Sequence, residues 1–190
     1  MKELLDYIAR YESRGDYNAV WGGISKKDRP PRPLTKMTVG EVLAWQDSID
    51  PLYRSEAAGR YQILEDTLAD IFDPAGFSLS DRFDENTQDA LAVQLMRRRG
   101  FDKFRSGQIS AEKFANNLAK EWASLPLVSG PKRGRSYYAG DGLNKAGADP
   151  DEFLSVVEAS RVVTIPQPQS PSGIGDLIAR IIEAIMRLFK

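Results

Sequence analysis

Apolar residues recur at steps of three and four along most of the chain, and this spacing predicts a mostly helical protein. The first such segment places its apolar side chains on one face: Leu4, Leu5, Ile8 and Tyr11. Ser13, Arg14 and Gly15 then break the period. We therefore expect a helix over residues 2–12, with Glu12 at its C-terminal end.

Helix-start and helix-stop residues predict further helices downstream. Thr38 and Glu41 form the pattern of a capping box, Ser110 is a candidate N-cap, and Asp149 precedes Pro150 at a first helical position. Together with the apolar spacing, they predict helices that start near residues 38, 64, 84, 110 and 149. The helix from residue 84 should stop at Gly100.

The segment from Asp16 to Lys36 lacks a helical period and contains Gly22, Gly23 and several prolines. We interpret it as a loop that includes a small β-hairpin. The fold class is therefore predicted to be α+β, mostly α, with a small β or irregular subdomain.

The chain divides into three parts. Residues 1–163 have the composition of one globular domain, residues 164–173 form a Pro-, Ser- and Gln-rich linker, and residues 174–190 form an amphipathic helix. The apolar stripe of that helix predicts contact with a membrane surface or a partner helix, and packing on the domain is the alternative. No basic start with an apolar run precedes the domain, so we expect synthesis in the cytoplasm without a signal peptide.

Composition restricts the chemistry. The 190 residues include no histidine and no cysteine. Catalytic triads with histidine, cysteine nucleophiles and histidine-ligated or thiolate-ligated zinc are therefore excluded. We expect no cofactor and no metal, and the formal net charge of −1 gives no sign of a nucleic-acid partner. Any hydrolytic chemistry must use carboxylates, Tyr, Lys or Ser.

Glu12 is the leading candidate for such chemistry. The negative end of a helix disfavours an ionised carboxylate, and the apolar face around Tyr11 would desolvate it. Both effects raise the pKa, as a general acid requires. The alternative is an ordinary solvated glutamate in a last helical turn.

Three ordered motifs add a family resemblance. Glu12-Ser13, the segment Ala57 to Ile63, and the pair of runs Gln88 to Ala90 and Trp122 to Pro126 resemble sequences of the phage lambda lysozyme family. The Gly-x-x-Gln-Ile part also resembles lytic transglycosylases. The resemblance covers roughly residues 5–145 and implies a lysozyme-like fold that cuts the MurNAc–GlcNAc bond of peptidoglycan, with Glu12 at the position of the catalytic acid. It also implies action in the periplasm or cell wall after release, or transport within the virion.

The same resemblance marks Ser13, Gly59, Arg60, Tyr61 and Gln62 as substrate-binding residues. Gly59 allows close approach of a sugar, and the amide of Gln62 supplies a donor and an acceptor. The alternative is a loop-to-helix junction in which Gln62 satisfies buried backbone.

A Gly-rich, basic and aromatic loop at residues 129–140 is a second candidate for substrate binding. Tyr137 and Tyr138 offer rings for sugar stacking, and Arg135 offers a partner for a lactyl or stem-peptide carboxylate. An ordinary solvated loop is the alternative. Trp45 and Trp122 are expected in the core.

The mechanism has two predicted forms. A hydrolase needs a second carboxylate across the bond, but Trp21 and Lys27 occupy the positions of the second and third catalytic residues of T4-type lysozymes. Asp16, Glu56 and Asp141 remain candidates. The favoured form is a lytic transglycosylase in which Glu12 acts alone and leaves 1,6-anhydro-MurNAc. A third hypothesis is a non-catalytic wall-binding component of the virion.

Overall fold

The computed structural model describes residues 1–142 and 144–161. Seven α-helices lie in this part of the chain: α1 (Lys2–Glu12), α2 (Val39–Ile49), α3 (Glu65–Ile71), α4 (Glu85–Arg98), α5 (Phe101–Arg105), α6 (Ala111–Leu118) and α7 (Pro150–Arg161). The mostly helical prediction is confirmed. The predicted linker at 164–173 and the predicted helix at 174–190 lie outside the described residues.

The predicted caps are present. Thr38 accepts a hydrogen bond from Glu41 N while the Glu41 side chain accepts one from Thr38 N, which is the reciprocal capping box. The Ser110 hydroxyl caps α6 by accepting from Lys113 N at 3.1 Å. The Asp149 carboxylate accepts from two backbone N–H groups at the start of α7. These bonds satisfy donors that no helical partner could reach.

Helix α1 ends as its sequence predicts. Arg14 and Gly15 adopt left-handed backbone conformations with φ of 59° and 85°, and the N–H groups of Ser13 and Gly15 both donate to Ala9 O at 3.0 Å. This arrangement closes the helix at Glu12 and turns the chain away.

The predicted β-hairpin within residues 16–36 does not form, and no β-strand is present among residues 1–142 and 144–161. The segment instead contains 3-10 turns at Lys26–Asp28 and Leu34–Lys36. Its pairing is limited to a single antiparallel bridge between Val20 and Ala58. Prolines at 30, 31 and 33 explain the difference, because proline has no N–H for a strand ladder.

The helices enclose one core of buried apolar side chains. Helix α7 packs against both α1 and α6, and α2, α3 and α4 pack in sequence order. The α1–α7 contact includes stacked rings of Tyr7 and Phe153, 5.7 Å apart, and an ion pair of Arg10 with Glu152 at 3.3 Å. Trp45 and Trp122 are buried, as expected from the sequence.

No helix in the described part of the chain combines the length and the apolar character needed to cross a membrane.

Candidate active site

A cleft of about 740 Å³ opens beside the C-terminal end of α1. Its walls are formed by the end of α1, Trp21, the segment 54–67, Leu95 of α4, the residues 121–124 after α6, and the loop 138–145. The side chains in these walls that are best suited to catalysis or to sugar binding are Glu12, Trp21, Glu56, Gln62, Ser124 and Tyr138.

Glu12 lies in this cleft. The Ser124 hydroxyl donates a hydrogen bond to its Oε1. Burial raises the pKa of the Glu12 carboxyl, and the hydrogen bonds from the side chain and backbone of Ser124 oppose part of that increase. The group is therefore a carboxylic acid held by a donor, with a pKa above its ordinary value.

Gly59 and Gln62 form a strained turn on one wall. Gly59 has φ of 76°, and a Cβ there would lie 2.4 Å from Gln88 Oε1. Gln62 also has positive φ, 48°, and its side-chain amide donates to Gly59 O at 2.9 Å. Gln62 lines the cleft, and no described residue donates a hydrogen bond to its Oε1.

Arg60 lies behind the wall, outside the cleft lining. Its guanidinium forms ion pairs with Asp6 at 2.6 Å and Asp89 at 3.2 Å and lies over the Tyr17 ring at 4.8 Å. The side chain is only 12% exposed. The structure therefore places Arg60 as a brace between α1 and α4.

Tyr61 lines the cleft with part of its ring but uses its polar end internally. Its hydroxyl donates to Asp89 Oδ1 at 2.7 Å. Burial and this hydrogen bond raise the pKa of Tyr61, so the phenol stays neutral at physiological pH.

The three motifs are joined by hydrogen bonds. The Ser13 hydroxyl donates to Arg60 O at 2.8 Å, and the Trp122 indole donates to Tyr61 O at 3.1 Å. Gln88 Oε1 accepts from Arg60 N at 2.8 Å. Segments that are far apart in the sequence thus hold the 59–62 turn next to the end of α1. Ser13 and Gly59 contribute to this framework rather than to the cleft lining.

The 129–140 loop contributes one of its three predicted residues to the cleft. Tyr138 lines it, is 41% exposed and donates to Lys120 O at 2.8 Å. Tyr137 packs edge-on against Tyr138 with 5.1 Å between ring centres, and Lys120 Nζ lies 5.3 Å from the Tyr137 ring. Arg135 is exposed and lies outside the cleft lining.

The three candidates for the second carboxylate differ in their position relative to the cleft. Glu56 lines the cleft, is 9% exposed, and its Oε1 accepts from Glu65 N at 3.1 Å. Asp16 and Asp141 lie outside the lining, where each accepts a turn-forming backbone hydrogen bond, from Asn18 N and Asn144 N. Glu56 is therefore the one of the three that shares a cavity with Glu12.

Several cleft residues give no functional signal in the sequence. Trp21 and Arg54 carry no local mark of substrate binding, although Gly23 packs so closely on the Trp21 ring that a Cβ there would lie 1.9 Å away. Ser124 belongs to the Trp122–Pro126 run, but only its hydrogen bond to Glu12 in the structure indicates a role in the site.

Comparison with known proteins gives a family match. A family model described as endolysin matches residues 31–146, more than half of the chain and including the 59–62 turn, Gln88, Asp89 and Ser124. No curated protein matches, and no solved structure matches. Glu12 precedes the matched segment, so its assignment depends on its position in the cleft. On the extent of the family match, the chain belongs to the endolysin family.

Proposed function

We propose that the protein cleaves the glycan strand of peptidoglycan, with Glu12 as the catalytic acid and base. Membership in the endolysin family supports a peptidoglycan-degrading enzyme. The observation that supports Glu12 is its position: a carboxyl in a cleft, with a pKa raised by burial and one oxygen held by Ser124. We further propose that the fold that carries this site is lysozyme-like.

The proposed reaction is that of a lytic transglycosylase. Glu12 donates its proton to the glycosidic oxygen as the bond from MurNAc C1 to that oxygen breaks. The resulting carboxylate takes the proton of the MurNAc C6 hydroxyl while the C6 oxygen bonds to C1. The proton from the C6 hydroxyl restores the acid form of Glu12. No water takes part, and the product ends in 1,6-anhydro-MurNAc.

Substrate contacts follow from the cleft walls. The unused Oε1 of Gln62 suits an N-acetyl N–H or a sugar hydroxyl. The rings of Tyr138 and Trp21 suit the apolar faces of sugars. Ser13, Gly59, Arg60 and Tyr61 are proposed to position this wall.

Hydrolysis is the second candidate, and the position of Glu56 in the same cleft favours it. An ionised Glu56 would stabilise the positive charge that develops at C1, or activate a water.

The first prediction concerns Glu12. Glu12→Gln keeps the shape of the side chain and removes its titrating proton, so clearing of purified sacculi should fall by about two to four orders of magnitude. Turbidity measures the rate and thermal unfolding checks the fold. A folded variant that clears at the wild-type rate would refute the assignment, whereas a wild-type protein that binds sacculi without clearing them would indicate a wall-binding component.

The second prediction concerns products. Mass spectra of released muropeptides should show 1,6-anhydro ends, each lighter than the hydrolysis product by one water. Glu56→Gln should then retain turnover, because the proposed reaction uses one carboxylate. Reducing ends throughout, together with loss of activity in Glu56→Gln, would select the hydrolase.

A further inference from the structure

Two basic side chains in the walls of the cleft are not paired with other side chains in the described part of the protein. Arg54 and Lys145 both line the cavity and both are exposed. Neither forms an ion pair or a side-chain hydrogen bond with any residue in 1–142 and 144–161. By contrast, Glu121 in the same cavity is paired with both Arg98 and Arg99 at 2.8 and 2.5 Å.

The two cations come from separate parts of the cleft. Arg54 precedes the Ser55-to-Ala57 stretch, whose Ala57 O accepts from Trp21 N at 3.1 Å. Lys145 lies near Ser124, because Gly147 N donates to Ser124 O at 2.9 Å. Two cations that line a cavity and have no ion-pair partner among the described residues favour an anionic ligand.

We propose that Arg54 and Lys145 bind carboxylates carried by the MurNAc residues of the strand and so make the enzyme select peptidoglycan over uncharged N-acetylglucosamine polymers. The inference rests on the proposed function, because it names the carboxylates of the glycan strand as the groups that this cleft recognises. Two groups have the required chemistry: the lactyl carboxylate, which is free when the peptide has been removed, and the carboxylates of the stem peptide. Sugar stacking alone cannot distinguish MurNAc from N-acetylglucosamine strands, since their pyranose faces are alike.

Binding to the full chain carrying Glu12→Gln tests this without turnover. Three tetrasaccharide probes are compared by calorimetry: a peptide-bearing GlcNAc–MurNAc tetrasaccharide, the same glycan with its peptides removed, and chitotetraose. On this background, Arg54→Gln with Lys145→Gln should weaken binding of at least one MurNAc probe by about tenfold, roughly the worth of one charge-assisted contact, and leave chitotetraose unchanged. The loss should diminish at high salt because exposed charges are screened.

The matched control also removes two positive charges, but at positions outside the cleft. Lys103→Gln with Lys113→Gln lies on α5 and α6, where both residues are exposed and outside the cleft lining, and it should bind all three probes as the Glu12→Gln protein does. A loss confined to the peptide-bearing probe identifies the stem peptide, and a loss confined to the peptide-free glycan identifies the lactyl group. Equal losses for all probes including chitotetraose, or no loss for either MurNAc probe, would overturn the inference. Binding selectivity without any cleavage by the wild-type protein would instead refute only the proposed function.

Discussion

At the scale of single residues, the protonation of Glu12 is set by two opposing influences. Burial favours the neutral acid, while the hydrogen bonds from Ser124 favour the carboxylate. A general acid must be protonated, so activity should fall as pH rises through the pKa of Glu12. Ser124 therefore lowers the pH at which activity should be lost, and burial raises it.

Ser124→Ala tests this control. Losing a donor to the carboxylate raises the pKa of Glu12, so the acid form persists to higher pH. The alkaline limb of the profile of kcat/KM against pH should move upward, and the wild-type position should return in Ser124→Thr, which retains the hydroxyl. An unchanged limb with reduced activity at every pH would show that Ser124 acts only through packing.

Individual residues also differ in how far their roles can be predicted from the sequence. Glu12 is a candidate from the sequence because it ends a helix with an apolar face and because Glu12-Ser13 belongs to the motifs that carry the family resemblance. Ser124 is not, because its importance arises from its contact with Glu12 across the fold, and Arg54 is not, because only the fold shows that it lines the cleft. The role predicted for Arg135 stays a prediction, and its side chain lies outside the cleft lining while Arg54 and Lys145 lie within it.

At the scale of elements, the 59–62 turn is fixed by backbone geometry and by α4. Gly59 is required twice, once for its positive φ and once because Gln88 leaves no room for a Cβ. Gln88 in turn caps the turn by accepting from Arg60 N. The position of this wall therefore depends on α4.

A pair of glycine substitutions separates the two requirements. Gly15 has a similar φ of 85°, but a Cβ at that position would meet no atom within 4 Å beyond its own chain neighbours. Gly15→Ala should therefore cost about 1 kcal/mol of unfolding free energy from backbone strain alone. Gly59→Ala should cost roughly 2–4 kcal/mol because overpacking against Gln88 adds to that strain. Urea unfolding measures both, and equal losses would contradict the steric account.

Elements with an apolar period of three and four residues are predictable from the sequence, and α1, α2, α3, α4, α6 and α7 all belong to this group. Side-chain caps at the start of α2, α4, α6 and α7 add to the signal. Helix α5 (Phe101–Arg105) escapes prediction because five residues are too short to show a period. The expected β-hairpin is wrong because a loop rich in glycine and proline lacks a helical period in the same way as a hairpin does. Its turns are instead fixed by distant contacts, such as the Tyr53 hydroxyl donating to Asp28 at 2.6 Å.

At the scale of the whole molecule, the described residues that line the cleft lie between Tyr11 and Lys145, whereas the amphipathic pattern at 174–190 lies outside the described residues. The proposed catalytic side chains all precede residue 146. The sequence assigns the C-terminal segment a separate role, contact with a membrane surface or a partner helix, because its apolar stripe follows a Pro-rich linker.

Deleting residues 166–190 tests that separation. Cleavage of purified peptidoglycan should stay at the full-length rate, because no cleft residue is removed, while binding to vesicles containing anionic lipid or killing of intact cells should decrease. Co-sedimentation with vesicles and turbidity of sacculi are measured on the same preparations. A truncated protein that unfolds or loses activity on bare sacculi would place the segment in the core.

The packing of α1 on α7 has a consequence for biosynthesis. Helix α1, which carries the acid, is synthesised before the other described helices, whereas its stacking partner Phe153 and its ion-pair partner Glu152 are among the last described residues to be made. Ser124, which holds the acid, also emerges late. We therefore expect nascent and prematurely terminated chains to lack an ordered acid, so that wall-cleaving capacity arises only once translation has passed α7.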